Sequence, residues 1–83
     1  MSENGHLQCV ISTAEKTTPY DGLRSVSLPA ASGLMQILPG HAEGFVVIGE
    51  GDLILKHADD HIETFRIGAS ECHIREDQVL III

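Results

Sequence analysis

Apolar and polar residues alternate with a period of two along much of the chain. Leu7, Cys9 and Ile11 interleave with Gln8, Val10 and Ser12. Val26 and Leu28 interleave with Ser25 and Ser27, Phe65 and Ile67 with Thr64 and Arg66, and Cys72 and Ile74 with His73 and Arg75. Side chains on a strand point to opposite faces in turn, so this period predicts half-buried β-strands. Helical spacing is hard to find, and glycine or proline interrupts nearly every candidate stretch. Turn signals punctuate the runs: Pro19-Tyr20-Asp21-Gly22, Ser32-Gly33, Pro39-Gly40, Gly49-Glu50-Gly51, Asp59-Asp60, Gly68 and Glu76-Asp77. Short strands with a turn about every ten residues predict an all-β sandwich or barrel.

Two local arrangements stand out. Residues 52–57 and 61–67 flank Ala58-Asp59-Asp60 and read as a hairpin. The run from Val79 to Ile83 has no polar break, which fits a strand covered on both faces. At an exposed edge the same run would invite aggregation. Ending on bare apolar residues, the chain reads as the front part of a longer protein. Residues 1–6, MSENGH, are polar and read as a flexible N-terminus preceding one domain over 7–83.

Composition narrows the picture. A chain of 83 residues supports one domain. With no tryptophan, one tyrosine and two phenylalanines, its core must be Val, Ile, Leu and Ala. That suffices for a thin two-layer structure, without a deep pocket beside it. The net charge of −7 disfavours nucleic acid and anionic lipid and suits a partner with a basic patch. Cys9 and Cys72 follow no signal peptide and read as two free, buried thiols in a reducing compartment. No segment approaches the ~20 apolar residues of a membrane span, so no direct lipid insertion is expected.

Candidate chemistry is sparse. His57 and His61 flank two aspartates in HADDH, which could offer nitrogen and oxygen ligands to a divalent metal. A hairpin tip is solvated and lacks the supporting shell a shaped site needs, so a surface turn is expected and no metal. Cys72 and His73, as strand neighbours, point apart and cannot form a thiolate–imidazole pair. Gly49-Glu50-Gly51 precedes a strand rather than a helix and is no phosphate loop. Glu71 reads as an exposed edge carboxylate. His41, directly after Pro39-Gly40, reads as a residue that bonds nearby backbone and fixes a corner. No catalytic residue and no cofactor are expected.

Four stretches bear a family resemblance. They are LQCVISTAEKTTPYDG, SVSLPAASG, ILPGHA from Ile37 to Ala42, and IETFRIGASECHI followed by an acidic turn and QVLI. Together, with ILPGHA eight residues after SLP, they resemble the N-terminal β-sandwich of the epsilon subunit of F-type ATP synthase. The resemblance spans Leu7 to Leu80. The family has Gly at the position of Gln36, Pro at that of Glu43, and Gly-Gly-aromatic at Ala69-Ser70-Glu71. Its C-terminal helical hairpin, which carries an inhibitory role in many members, has no counterpart here.

The resemblance implies a small flattened β-sandwich of short antiparallel strands and a non-catalytic subunit of the central stalk. Such a subunit binds gamma and the c-ring and couples ring rotation, driven by H+ or Na+ flow, to ATP synthesis. It implies a gamma-subunit interface at Ser12, Thr13, His41 and Glu43, and a c-ring interface at Ala31, Ser32, Gly33, Leu34 and Met35. It implies a peripheral position on the cytoplasmic face of a bacterial inner membrane. Leu34 and Met35 also read, from the residues alone, as an apolar pair in an exposed loop, which suggests a contact surface. A cupin-like metal-binding β-barrel is the alternative, since PGHAEGFVVIGEGDLILK resembles a cupin stretch, although His41-Ala42-Glu43 lacks the second histidine. A free-standing interaction module is a further alternative.

Overall fold

A computed structural model describes residues 5–83. Most of the expected flexible stretch 1–6 therefore lies outside the described residues. The described chain forms eight strands: β1 (Leu7–Ser12), β2 (Thr17–Ala30), β3 (Gly33–Ile37), β4 (Gly44–Ile48), β5 (Gly51–His57), β6 (Ile62–Ile67), β7 (Ser70–Arg75) and β8 (Gln78–Ile82). The all-β expectation holds. Strand order runs β1-β8-β7-β4-β2-β5-β6, β3 pairs with β2, and β1 also pairs with β2. The pairing thus closes on itself through β1, β8, β7, β4 and β2, while β3, β5 and β6 extend from the second half of β2.

β2 makes this closure possible. Its first part pairs with β1 and its second part with β3 and β5. Between the two parts, Asp21 and Gly22 together oppose Gln8, because Leu7 meets Leu23 while Cys9 meets Tyr20. Gly22 takes φ +66°, which a β-carbon would oppose. A second register shift, at Arg24, follows on the β5 side. Such bulges bend a strand and let it pass from one layer to the next. Pro19-Tyr20-Asp21-Gly22 is accordingly a bend inside one 14-residue strand, not the turn its composition predicts. Pro19 is tolerated because this part of β2 pairs with β1 alone, as an edge.

The remaining turns fall as the sequence predicts. β5 and β6 pair in register from Gly51–Ile67 to Lys56–Ile62. Glu76 and Asp77 both take positive φ, 51° and 61°, as a two-residue hairpin loop requires. Asp77 also ties two elements to this corner: its carboxylate accepts the Gly40 N–H at 2.7 Å, and its carbonyl accepts the Gln8 N–H at 2.9 Å.

Each alternating run delivers one face to a common core. Leu7, Cys9, Leu23, Val26, Leu28, Ile37, Ile48, Leu53, Leu55, Ile67, Cys72, Ile74, Val79 and Ile81 are buried. Cys9 and Cys72 are free thiols on β1 and β7, and β8 runs between those strands. Two strand spacings put them roughly 10 Å apart, beyond disulfide reach. Burial pushes the Cys9 thiol up to about 12, the nearby Cys72 adding to the effect, and burial pushes Cys72 up to about 11. Both are therefore inert as nucleophiles near neutral pH.

Two expectations need correction. β8 is hydrogen-bonded on both edges, parallel to β1 and antiparallel to β7. Yet only Val79 and Ile81 of its apolar residues are buried, while Ile82 is exposed and Leu80 half-buried. Nothing within the described chain covers the outer face of this layer, so the strand is not covered on both faces. Glu71 is exposed as expected, but it lies on a strand paired with both β4 and β8, not on an edge.

Candidate functional site

The outer face of the β4-β7-β8-β1 layer is a surface the core leaves unused. Directly paired residues share a face. One row therefore crosses the layer as Phe45, His73, Leu80 and Val10, and the next as Val47, Glu71, Ile82 and Ser12. Phe45 and Val47 are more than half exposed. The Phe45 and His73 rings meet edge-on, with centroids 4.9 Å apart. A polar row bounds the face at one end: Gln78 donates to Gln8 at 2.7 Å, and Gln8 donates to Asp21 at 2.8 Å. Arg75, paired with Gln78, lies 3.7 Å from Glu43. The face thus carries five apolar residues on either side of a His73–Glu71 pair, 3.4 Å apart, and is bounded by polar residues, a mixed composition that suits a docking surface.

The expected gamma-interface residues divide across this face. Ser12 stands in the Val47 row, on the open face. The Thr13 hydroxyl is engaged in the β1–β2 turn. That oxygen accepts the N–H groups of Glu15 and Lys16 at 3.3 and 3.2 Å and donates to the Lys16 carbonyl at 3.1 Å. His41 and Glu43 lie at the other end, beside the Asp77 corner. Four residue steps along β1 lead from Gln8 to Ser12, so the two groups are roughly 13 Å apart. They are two ends of one surface, not one cluster.

His41 is half-buried, and its Nδ1 lies 2.7 Å from the Ala42 carbonyl, to which a protonated Nδ1 donates. Its backbone N–H donates to the Leu38 carbonyl at 3.1 Å. The corner-fixing bond expected from Pro39-Gly40-His41 is therefore present. Sequence reasoning missed Val10, Phe45, Val47, Leu80 and Ile82. Their signal was the other phase of the same alternation, apolar where a solvated face would be polar.

The expected c-ring residues gather at the β2–β3 tip. Ala31, Ser32 and Gly33 are exposed, and Leu34 is 83% exposed. Residues 33–37 are a strand, not a loop, and this separates the apolar pair. Met35 sits opposite buried Leu28 and packs on the core, whereas Leu34 sits opposite Pro29 and points out. Leu34 alone is the exposed apolar residue of the pair.

A cleft of about 310 Å³ opens between β6 and the β1–β2 pair, lined mainly by Ile11, Tyr20, Phe65, Ile67 and Ile83 with Lys16 at its rim. The composition predicted no pocket of this kind. Its lining includes no His, Cys, Asp or Glu, and its titratable groups are Lys16, Tyr20 and Arg66. Cys72 is buried while His73 is exposed, as their adjacency on a strand requires.

At the β5–β6 tip Asp60 turns to Arg24, while Asp59 stays beside His61, its Oδ1 3.9 Å from His61 Nδ1. Arg24 binds Asp60 at 2.7 Å and the Ala58 carbonyl at 2.9 Å. Asp59 accepts the backbone N–H of His61 at 3.1 Å. Neither His41 nor Glu43 joins a group able to hold a metal ion among the described residues, which removes the cupin-like alternative's ligands. Among the described residues no helix is long and apolar enough to cross a membrane.

Residues 6–83 match the family described as ATP synthase, Delta/Epsilon chain, beta-sandwich domain. Two solved structures share the fold. A chain of the Euglena gracilis mitochondrial ATP synthase, in a structure of OSCP, F1 and the c-ring, superposes with a TM-score of 0.86 at 14% identity, over 94% of this chain and 50% of that one. A chain of the Tetrahymena thermophila mitochondrial ATP synthase, in a structure of the central stalk and c-ring, gives 0.75 at 12% identity, over 92% of this chain and 61% of that one. The chain thus spans about half to three-fifths of the length of these neighbours. No curated protein matches the sequence. The match over nearly all of the chain decides its family: it belongs to the ATP synthase delta/epsilon chains, as their β-sandwich domain.

Proposed function

We propose that this domain is a non-catalytic rotor part of an F-type ATP synthase. It binds the gamma subunit through the open face of the β4-β7-β8-β1 layer and the c-ring through the β2–β3 tip. Held between them, it transmits the turning of the ring, driven by H+ or Na+ flow, to the stalk and so to ATP synthesis. It works peripherally, at the cytoplasmic face of a bacterial inner membrane.

The observation that carries this reading is the uncovered face on which Val10, Phe45, Val47, Leu80 and Ile82 flank the His73–Glu71 pair. A small domain rarely leaves such apolar residues on two adjacent rows of a central layer unless another chain covers them. Ser12 at one end and His41 and Glu43 at the other extend the face toward polar contacts. Leu34 gives the tip an apolar point for a second partner. The net charge of −7 favours partners with basic loops. Family membership supports the assignment, as do neighbours drawn from structures that contain a central stalk or a c-ring.

The test is co-purification of tagged protein with gamma and the c-ring in mild detergent. Val47→Asp is expected to lose gamma while keeping its β-type circular dichroism, and His41→Ala to weaken gamma more than stability. Leu34→Asp is expected to lose the ring. A wild-type chain that brings down neither partner sinks the proposal.

A further inference from the structure

The β5–β6 hairpin brings together three ligand groups that its tip sequence does not announce. β5 and β6 pair Leu55 with Glu63, so Glu63 shares the inward face of buried Leu55. Two residues further along each strand, His57 and His61 share that face. Their backbones meet directly, His57 N–H donating to the His61 carbonyl at 2.8 Å. One nitrogen from each ring and a Glu63 oxygen all lie within 4.8 Å of one another.

The bonding around these groups is incomplete. His57 Nε2 and Glu63 Oε2 are both shielded from solvent, and neither has a hydrogen-bond partner. They stand 3.5 Å apart, too far for a good hydrogen bond. Two atoms bound to one tetrahedral zinc ion, each about 2.0–2.1 Å from it, would be about 3.3–3.4 Å apart. His61 Nε2 lies 3.9 Å from the other Glu63 oxygen. The two imidazoles stack, centroids 4.4 Å apart and planes 8° from parallel. Stacked rings direct their lone pairs side by side, so one must turn for both to meet an ion. The His61 side chain is 55% exposed and is free to turn.

We infer that His57, His61 and Glu63 form a binding site for a borderline divalent transition metal of the zinc class, with water completing the shell. Two imidazoles and one carboxylate suit zinc, nickel or cobalt, and they disfavour magnesium and calcium, which require oxygen ligands. The bound ion satisfies the orphaned pair and staples β5 to β6 beside the hairpin's turn. Asp60 is held by Arg24, and Asp59, although 3.9 Å from His61 Nδ1, lies outside the group of three whose ligand atoms converge.

The test uses the tag-free chain, stripped of metal by chelator, titrated with zinc chloride by calorimetry and melted with and without zinc. A single saturable site is expected, with a melting temperature raised by several degrees, and magnesium giving no shift. His61→Asn, at an exposed position, and the near-isosteric Glu63→Gln are each expected to weaken zinc binding at least tenfold. His73→Gln, on the other layer, is expected to leave it intact. Cobalt should give a visible spectrum without thiolate charge transfer, which excludes Cys9 and Cys72 as ligands. Absence of saturable binding, or affinity retained in both His61→Asn and Glu63→Gln, overturns the inference.

Discussion

The β2–β3 and β5–β6 hairpins both extend from the same half of the sandwich, yet their tips are opposites. At the β5–β6 tip, charge is matched internally. Arg24 reaches from β2 to Asp60 and Ala58, Asp59 caps His61, and two stacked imidazoles face Glu63. At the β2–β3 tip, the Ala31 N–H bonds the Val47 carbonyl, and Leu34 stands bare. The first tip completes most of its interactions from within the chain. The second presents apolar surface that the chain does not cover. That difference separates a hairpin suited to holding an ion from one suited to meeting another protein.

The sharpest way to break the contrast is to remove the anchor beneath the apolar tip. Leu28 is fully buried and faces Met35. Leu28→Ala is expected to lose about 2–5 kcal/mol in urea unfolding. A smaller loss would mean that the tip is not held by the core.

Gly51 joins the two hairpins where β5 begins. A β-carbon there would lie 2.8 Å from the Pro29 Cβ, a rigid neighbour. Gly51→Ala is expected to cost about 1–3 kcal/mol by the same measurement, because the strands must part. Wild-type stability would show that they can shift freely.

The layer opposite the hairpins holds both buried thiols, and its stability should respond to alkali. The folded values, about 12 and about 11, lie above the ordinary 9.0. Below pH 9 both states keep their protons and stability is unaffected. Above it the unfolded chain ionises first, so stability falls until the folded thiols titrate, by at most about 1.4 kcal/mol per pH unit for each. Thermal melts from pH 8 to 11 are expected to show this decline, with a shallower slope in Cys72→Ala. An unchanged slope would remove the thiols as its cause.

Smaller effects distinguish the tips themselves. Arg24→Ala breaks an exposed ion pair and is expected to cost about 0.2–1 kcal/mol, less at high salt. Leu34→Asp is expected to leave stability within about 0.5 kcal/mol, since the side chain touches little. A larger loss in urea would show that Leu34 belongs to the core.

Much of the fold was legible in the sequence. The alternations at Leu7–Ile11, Val26–Leu28, Phe65–Ile67 and Cys72–Ile74 marked strands and core faces correctly, because the pleat fixes side-chain parity locally. Glu76-Asp77 and Ala58-Asp59-Asp60 marked turns by their own chemistry. Pro19-Tyr20-Asp21-Gly22 misled for a physical reason. A bulge in a strand that changes layers calls for the same residues as a turn, and only pairing with Gln8 distinguishes them. The interaction surfaces were half legible. Leu34 stood out, but Met35 did not separate from it, since exposure depends on which residue faces Leu28.

Local sequence determined the strands, most of the turns, the inert thiols and the all-β class of the described residues. It did so because backbone sterics and side-chain parity act between near neighbours. The closed pairing through a bent β2, the parallel contact of β1 with β8, and the uncovered rows from Phe45 to Val10 and from Val47 to Ser12 were decided by tertiary structure. So was the meeting of His57, His61 and Glu63. Each depends on register between strands distant in the chain or across a turn, and register is set by which faces can be buried together.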